Sequence, residues 1–182
     1  MIKIDSYIAL ETLNHYSNEI DQLQNEFINI KDKNTIHTIK KNLTKSKGHF
    51  LNGAIVIEID STQITSLLDW DDLNLLWTGF LTMTIDYLKN DGSGKTVSSK
   101  NDLEWYIKRI ITKPQNLIVF SAKNNMSNIK NEASKGICIE TVFLQEVLLS
   151  AQEFLNLRKI DSRTQNLIEM LDKYNELKKI IK

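Results

Sequence analysis

The longest unbroken pattern of apolar and polar positions runs from Gly53 to Leu88. Its first part, Gly-Ala-Ile-Val-Ile-Glu-Ile-Asp, alternates β-branched residues as a buried strand does, with Ile55, Ile57 and Ile59 on one face and Val56 on the other. The spacing then changes from two to three and four. Leu73, Leu76, Trp77, Phe80, Met83, Thr84 and Tyr87 fall on one stripe of a helix. Asp69 is placed to cap that helix, with Asp72 in the capping-box position and Leu68 and Leu73 as a hydrophobic staple. This strand–helix pair is the expected nucleus of the core.

Upstream, Ala9, Leu13, Tyr16, Ile20, Leu23, Phe27 and Ile30 follow a 4-3-4-3-4-3 spacing, which predicts a helical arm over residues 7–30. Thr35–Lys41 reads as a short edge strand or a loop. Past the central helix, Asn90-Asp-Gly-Ser-Gly supplies a stop, and a polar loop is expected to reach Asn101. Leu103, Trp105, Ile107 and Ile111 alternate with more polar neighbours as a half-buried strand. A turn holding the only proline leads to the strand Leu117–Ala122, and the Asn-, Ser- and Lys-rich stretch 123–135 reads as a loop. Gly136–Glu140 is a further strand. It runs directly into a helix burying Leu144, Val147, Leu148, Ala151, Phe154 and Leu155. Asp161 offers the next cap, and a last helix follows with Leu167, Met170, Leu171, Tyr174, Leu177 and Ile181.

Short connections between strands imply antiparallel pairing. The expected class is therefore α+β, with one small, mainly antiparallel sheet of three or four strands, flanking helices, and helical N- and C-termini. Residues 1–182 read as a single domain: the arm 7–30, a body 48–157, and a C-terminal helix 161–181 that packs on the arm.

Composition narrows the setting. Single-cysteine usage excludes a disulfide framework and suits a reducing compartment. No signal-peptide pattern and no apolar run of membrane-spanning length is present, so a cytoplasmic location is expected and a membrane partner is not. Net charge is zero but uneven. Between Gly48 and Leu88 there is no Lys or Arg, against Glu58, Asp60, Asp69, Asp71, Asp72 and Asp86. Residues 31–47 carry six lysines against Asp32, and residues 89–135 carry nine basic residues against four acids, so each block has a balance of +5.

Candidate chemistry is sparse. Gly92-Ser-Gly-Lys-Thr suggests a phosphate loop, but the required earlier glycine is Lys89 and the preceding element is helical. His15, His37 and His49 lack metal-ligand spacing, and Cys138 sits mid-strand where a small thiol packs. Glu58, Asp60, Asp69 and Asp72 could gather around a divalent metal, although the first turn of a helix attracts acids for its own dipole. Trp70, Trp77 and Trp105 are not interleaved with basic residues, which disfavours a nucleic-acid platform. No catalytic, cofactor or metal residue is assigned.

The strand Gly53–Asp60 with Asp69-Trp-Asp-Asp-Leu-Asn-Leu-Leu-Trp, followed by Leu117–Ala122, Gly136–Glu140 and the helix Thr141–Leu157, resembles a family of small bacterial α+β proteins. Several of its members are immunity proteins that neutralise a toxin from the same locus. The likeness covers residues 53–157 and departs from the family in lacking proline over Val97–Asp102. It implies a non-enzymatic protein whose partner is a cognate toxin domain. Glu58, Asp60, Asp71 and Asp86 are the candidate contacts, since acidic patches complement basic toxins. Two alternatives are a metal-dependent hydrolase or nuclease on the acidic cluster, and an adaptor that dimerises through the N-terminal helix.

Overall fold

A computed structural model describes residues 1–10, 23–45, 51–98, 103–124, 133–158 and 165–182. The chain is α+β, as its periodicities imply, but it builds two antiparallel sheets rather than one. In the first, β1 (Ile2–Ala9) lies between β2 (Phe27–Asn29) and β3 (Asn52–Ile59), and β4 (Thr62–Gln63) and the two-residue β5 (Asp71–Asp72) both pair with β3. The β1–β3 register runs from Ile2 opposite Ile59 to Ile8 opposite Gly53. In the second, β6 (Ser93–Ser98), β7 (Leu103–Ile110), β8 (Leu117–Asn124) and β9 (Ser134–Ile139) form an up-and-down meander in chain order.

The N-terminal helix expected over 7–30 is not what the described residues form. Ile2, Ile4, Ser6 and Ile8 share one strand face, and the local period of two prevails over the longer-range 4-3 spacing. Leu23 precedes a 3₁₀ turn, Gln24–Glu26, and Phe27 begins a strand; Leu13, Tyr16 and Ile20 lie outside the described residues. Leu23 and Phe27 are spent inside the protein, packed with Ala9, Ala54, Leu67 and Trp70 against the outer face of the first sheet. Thr35–Lys41, expected as a short edge strand or a loop, belongs instead to helix α1 (Thr35–Lys45), whose Thr35, Thr38 and Ile39 are buried at helical spacing.

Helix α2 (Leu73–Lys89) runs through the centre of the fold, and all seven residues of its expected stripe are buried. It is capped by Asp72, whose carboxylate accepts from the Asn74 N–H at 3.0 Å. Asp69 instead closes a capping box with Ser66 on the 3₁₀ turn Leu67–Asp69, one element earlier than the sequence suggests. Phe80 is the hub. Its ring lies 5.7 Å from Trp77, 5.3 Å from Trp105, 5.9 Å from Phe120 and 6.2 Å from Phe143, joining α2 to the second sheet and to α3 (Glu140–Arg158). Trp77 faces the first sheet, where its indole N–H donates to Ser6 Oγ at 3.0 Å.

The polar stretch after α2, expected as a loop, is β6. Its Gly94 passes so close to the helix that an added Cβ would stand 2.2 Å from the Met83 carbonyl oxygen. Glycine is required there, and its presence breaks the alternation by which a strand is recognised. The C-terminal helix α4 (Gln165–Ile181) packs on α2 rather than on an N-terminal arm, through Met170, Tyr174 and Leu177. Leu171, expected in that stripe, is exposed, and so is Ile111, which lies just past the end of β7. Asp161 lies outside the described residues. No helix among the described residues is long and apolar enough to cross a membrane.

Candidate functional site

Where the first half of α2 meets β6 and β7, the surface opens into a groove of about 210 Å³. Leu75 and Val97 form its rims at 45% and 52% exposure, large values for aliphatic side chains. Gly79 lets the helix approach β6, since a Cβ there would stand 2.8 Å from Thr96 Oγ1. At the N-terminal end of α2, Asp71 closes the groove, held by a hydrogen bond from Ser98 Oγ and by the Asp72 N–H at 2.7 Å. Trp105 lines it too, paired across the ladder with Thr96, and its buried indole N–H has no hydrogen-bond partner. That nitrogen is closed to solvent, so it belongs to the packed wall beneath the groove rather than to its open surface.

The four acids expected to meet a partner occupy separate places. Asp71 pairs with Gly53 at one end of β3, while Glu58 lies five residues further along that strand, roughly 17 Å away. Glu58 faces a second hollow, on the outer side of the first sheet, together with Lys3, Asp5 and Tyr7. Asp60 sits in a tight turn at φ 49° and forms an ion pair with the amino group of Met1. Asp86 is half-buried near the C-terminal end of α2. Asp71, expected among the partner contacts, is itself buried. Asp71→Lys should strand Ser98 and place an ammonium in a closed site. A loss of about 2–3 kcal/mol by chemical denaturation is expected, and a variant as stable as the parent would refute this placement.

The proposed metal cluster is likewise taken apart. Asp69 and Asp72 hold backbone N–H groups, and among the described residues no three His, Cys, Asp or Glu stand together as metal ligands would. Burial raises the Asp72 carboxyl above the usual carboxylate range, against the hydrogen bonds from Asn74. Burial, with Asp60 adding to it, pushes the Cys138 thiol up to about 11, so it packs as an apolar group. His37 is exposed on α1; His15 and His49 lie outside the described residues.

Two charged networks were not foreseen from the sequence. In one, Asp5 pairs with Lys3 at 2.6 Å and Lys31 at 3.1 Å. Burial works to raise its carboxyl, yet the two lysines together hold it below the ordinary value. In the other, Glu140 at the start of α3 accepts from Tyr87 Oη at 2.7 Å and from Arg109 Nη2 and Nε at 2.7 and 3.0 Å. Burial opposes ionisation of Glu140 as well, but these donors outweigh it and keep the carboxyl low. The arrangement ties α2, β7 and α3 together and is structural.

The groove was missed because its residues come from four elements, two of which, β5 and β6, carry no strand pattern in the sequence. One signal was available: Gly79, in the interior of an otherwise strong helix, costs about 1 kcal/mol against alanine and so marks a close approach. No family model, no curated protein and no solved structure matches the chain.

Proposed function

We propose that the chain is a non-enzymatic binding protein of the immunity type, which seats on a cognate bacterial toxin domain and blocks its active site. The observation that carries this reading is the groove: two exposed aliphatic rims, Leu75 and Val97, over a wall that includes Trp105. Such a site suits an anchoring apolar side chain of a protein partner, whose burial concentrates binding energy. The acids Glu58, Asp60 and Asp86 are a competing contact surface for a basic toxin. They are spread over the fold, and the groove is the more concentrated feature.

The test is co-expression with the toxin domain encoded beside the gene. The wild-type chain should restore growth and bind the purified domain. Val97→Arg, at a half-exposed position, should keep its melting temperature and weaken binding about tenfold or more, near 1.4 kcal/mol. A wild-type chain that neither binds nor protects would sink the immunity reading. Loss of binding on reversing Glu58, Asp60 and Asp86, with Val97→Arg unaffected, would move the contact to the acids.

A further inference from the structure

Among the described residues, the β6–β9 meander is covered on one face only. Its inner face carries Leu103, Trp105, Ile107, Ile118 and Phe120, all buried under α2 and α3. The residues that alternate with these point away from the helices, and the register lays them out in rows. Ile110, Leu117 and Ile139 form one row, and Lys108, Val119 and Ile137 the next. Tyr106, Ser121 and Lys135 lie beyond, with Lys95 beside Tyr106. Ile137 is 51% exposed and Ile110 and Tyr106 each 37%, so this apolar strip meets solvent. Around it, among the described residues, stand Lys95, Lys108, Lys123 and Lys135 against a single outward acid, Glu104, a balance of +3. Glu104 is ion-paired with Lys95 at 2.8 Å, which leaves the remaining three lysines to set the sign of the face.

We infer that this outer sheet face is a docking surface for an acidic protein patch with an apolar centre. It adjoins the groove through Val97, which stands on the same face in register with Glu104, and it deepens the partner-binding reading by naming the partner's chemistry. Four strands of six to eight residues span roughly 19 by 24 Å, about 450 Å² in projection, more than half of one side of a standard interface. Charge selects the occupant. A second copy would set +3 against +3 across a two-fold axis. A nucleic acid would meet one aromatic ring and a strip of isoleucines, where stacking needs successive aromatics. An acidic protein surface meets both the lysines and the aliphatic strip.

The experiment pans a random-peptide display library on the wild-type chain, with Lys108→Glu/Lys135→Glu and Ile137→Asp as comparison proteins. All three positions are exposed, and unchanged melting temperatures verify the variants as folded. Acidic peptides with apolar centres should be enriched, weaken as salt rises, and lose about tenfold or more in affinity on each variant. Peptides that are basic, or that bind the variants equally, would overturn the inference. So would single-stranded RNA competing for the face, or wild-type self-association abolished by Ile137→Asp. The two readings separate cleanly. Toxin binding that survives Lys108→Glu/Lys135→Glu removes the docking face and leaves the immunity reading. Face-selected acidic peptides with no toxin binding do the reverse.

Discussion

Phe80→Ala is expected to cost about 3–5 kcal/mol. The ring is fully buried and is the point at which Trp77, Trp105, Phe120 and Phe143 meet. Its removal takes away transfer energy and leaves a void bounded by rings from two strands of the second sheet and from two helices, which cannot all move inward together. For a chain of this length, each kcal/mol moves the melting temperature by about 2–4 °C, so a fall of roughly 8–16 °C is expected. Leu75→Ala is the control on the same helix. At 45% exposure it should change stability by about 0.5 kcal/mol or less, and its effect should appear in partner binding instead. Equal thermal shifts for the two variants would show that α2 is not packed as described.

The second large effect belongs to Glu140. Glu140→Ala leaves the Arg109 guanidinium and the Tyr87 hydroxyl facing each other in a largely enclosed site, with Arg109 5.0 Å over the Tyr87 ring. Removing one partner of such a pair costs about 3–5 kcal/mol. The lower end applies here, because the Arg109 side chain retains 26% exposure. Glu140→Gln keeps an acceptor and loses the charge, so its loss should be smaller and its pH dependence different. Glu140 has a lowered folded-state pKa. Its contribution is therefore complete above the unfolded value, about 4.3, and is lost as pH falls through the lower folded value. Asp5, also lowered, acts in the same direction. Asp72 is raised, so its contribution is present below its unfolded value and is lost as pH rises through the folded one. In urea titrations between neutral and acid pH, the wild type should weaken along the acid limb and Glu140→Gln should weaken less. A Gln variant with an undiminished acid slope would assign that slope to other carboxylates.

Much of the fold could be read from periodicity, and the elements that could not share a cause. β3, β7, β8, β9, α2 and α3 bury one continuous face each, so their apolar residues recur at two or at three and four. β6 turns Gly94, Thr96 and Ser98 toward α2, where the closeness of the helix backbone excludes larger groups. Its sequence is therefore polar although its position is internal. β1 was hidden differently: Ala9, Leu23 and Phe27 do meet, as the 4-3 spacing suggests, but in a cluster on the outer face of the first sheet rather than along one helix. The site was less legible than the fold. Acids 53 to 86 are continuous in sequence, yet β3 and α2 carry them to opposite ends, and burial of Asp71 depends on Ser98 from a strand that the sequence did not announce. The groove and the open sheet face emerge only once register fixes which residues look outward.

The Ser150 hydroxyl donates to the Ile4 carbonyl oxygen at 2.9 Å, a contact between residues 146 positions apart. Through it α3 covers β1, whose inner isoleucines have no other helix of comparable contact above them among the described residues. During synthesis β1 leaves the ribosome well before its lid, α3, is made. The meander has the opposite character, each strand pairing with the next one along. Loop-closure entropy then favours an assembly in which the meander and α2 form early and the first sheet closes late. The nascent chain must carry Ile2, Ile4 and Ile8 uncovered until α3 emerges, which makes its expression a matter of chaperone supply and translation speed as much as of final stability.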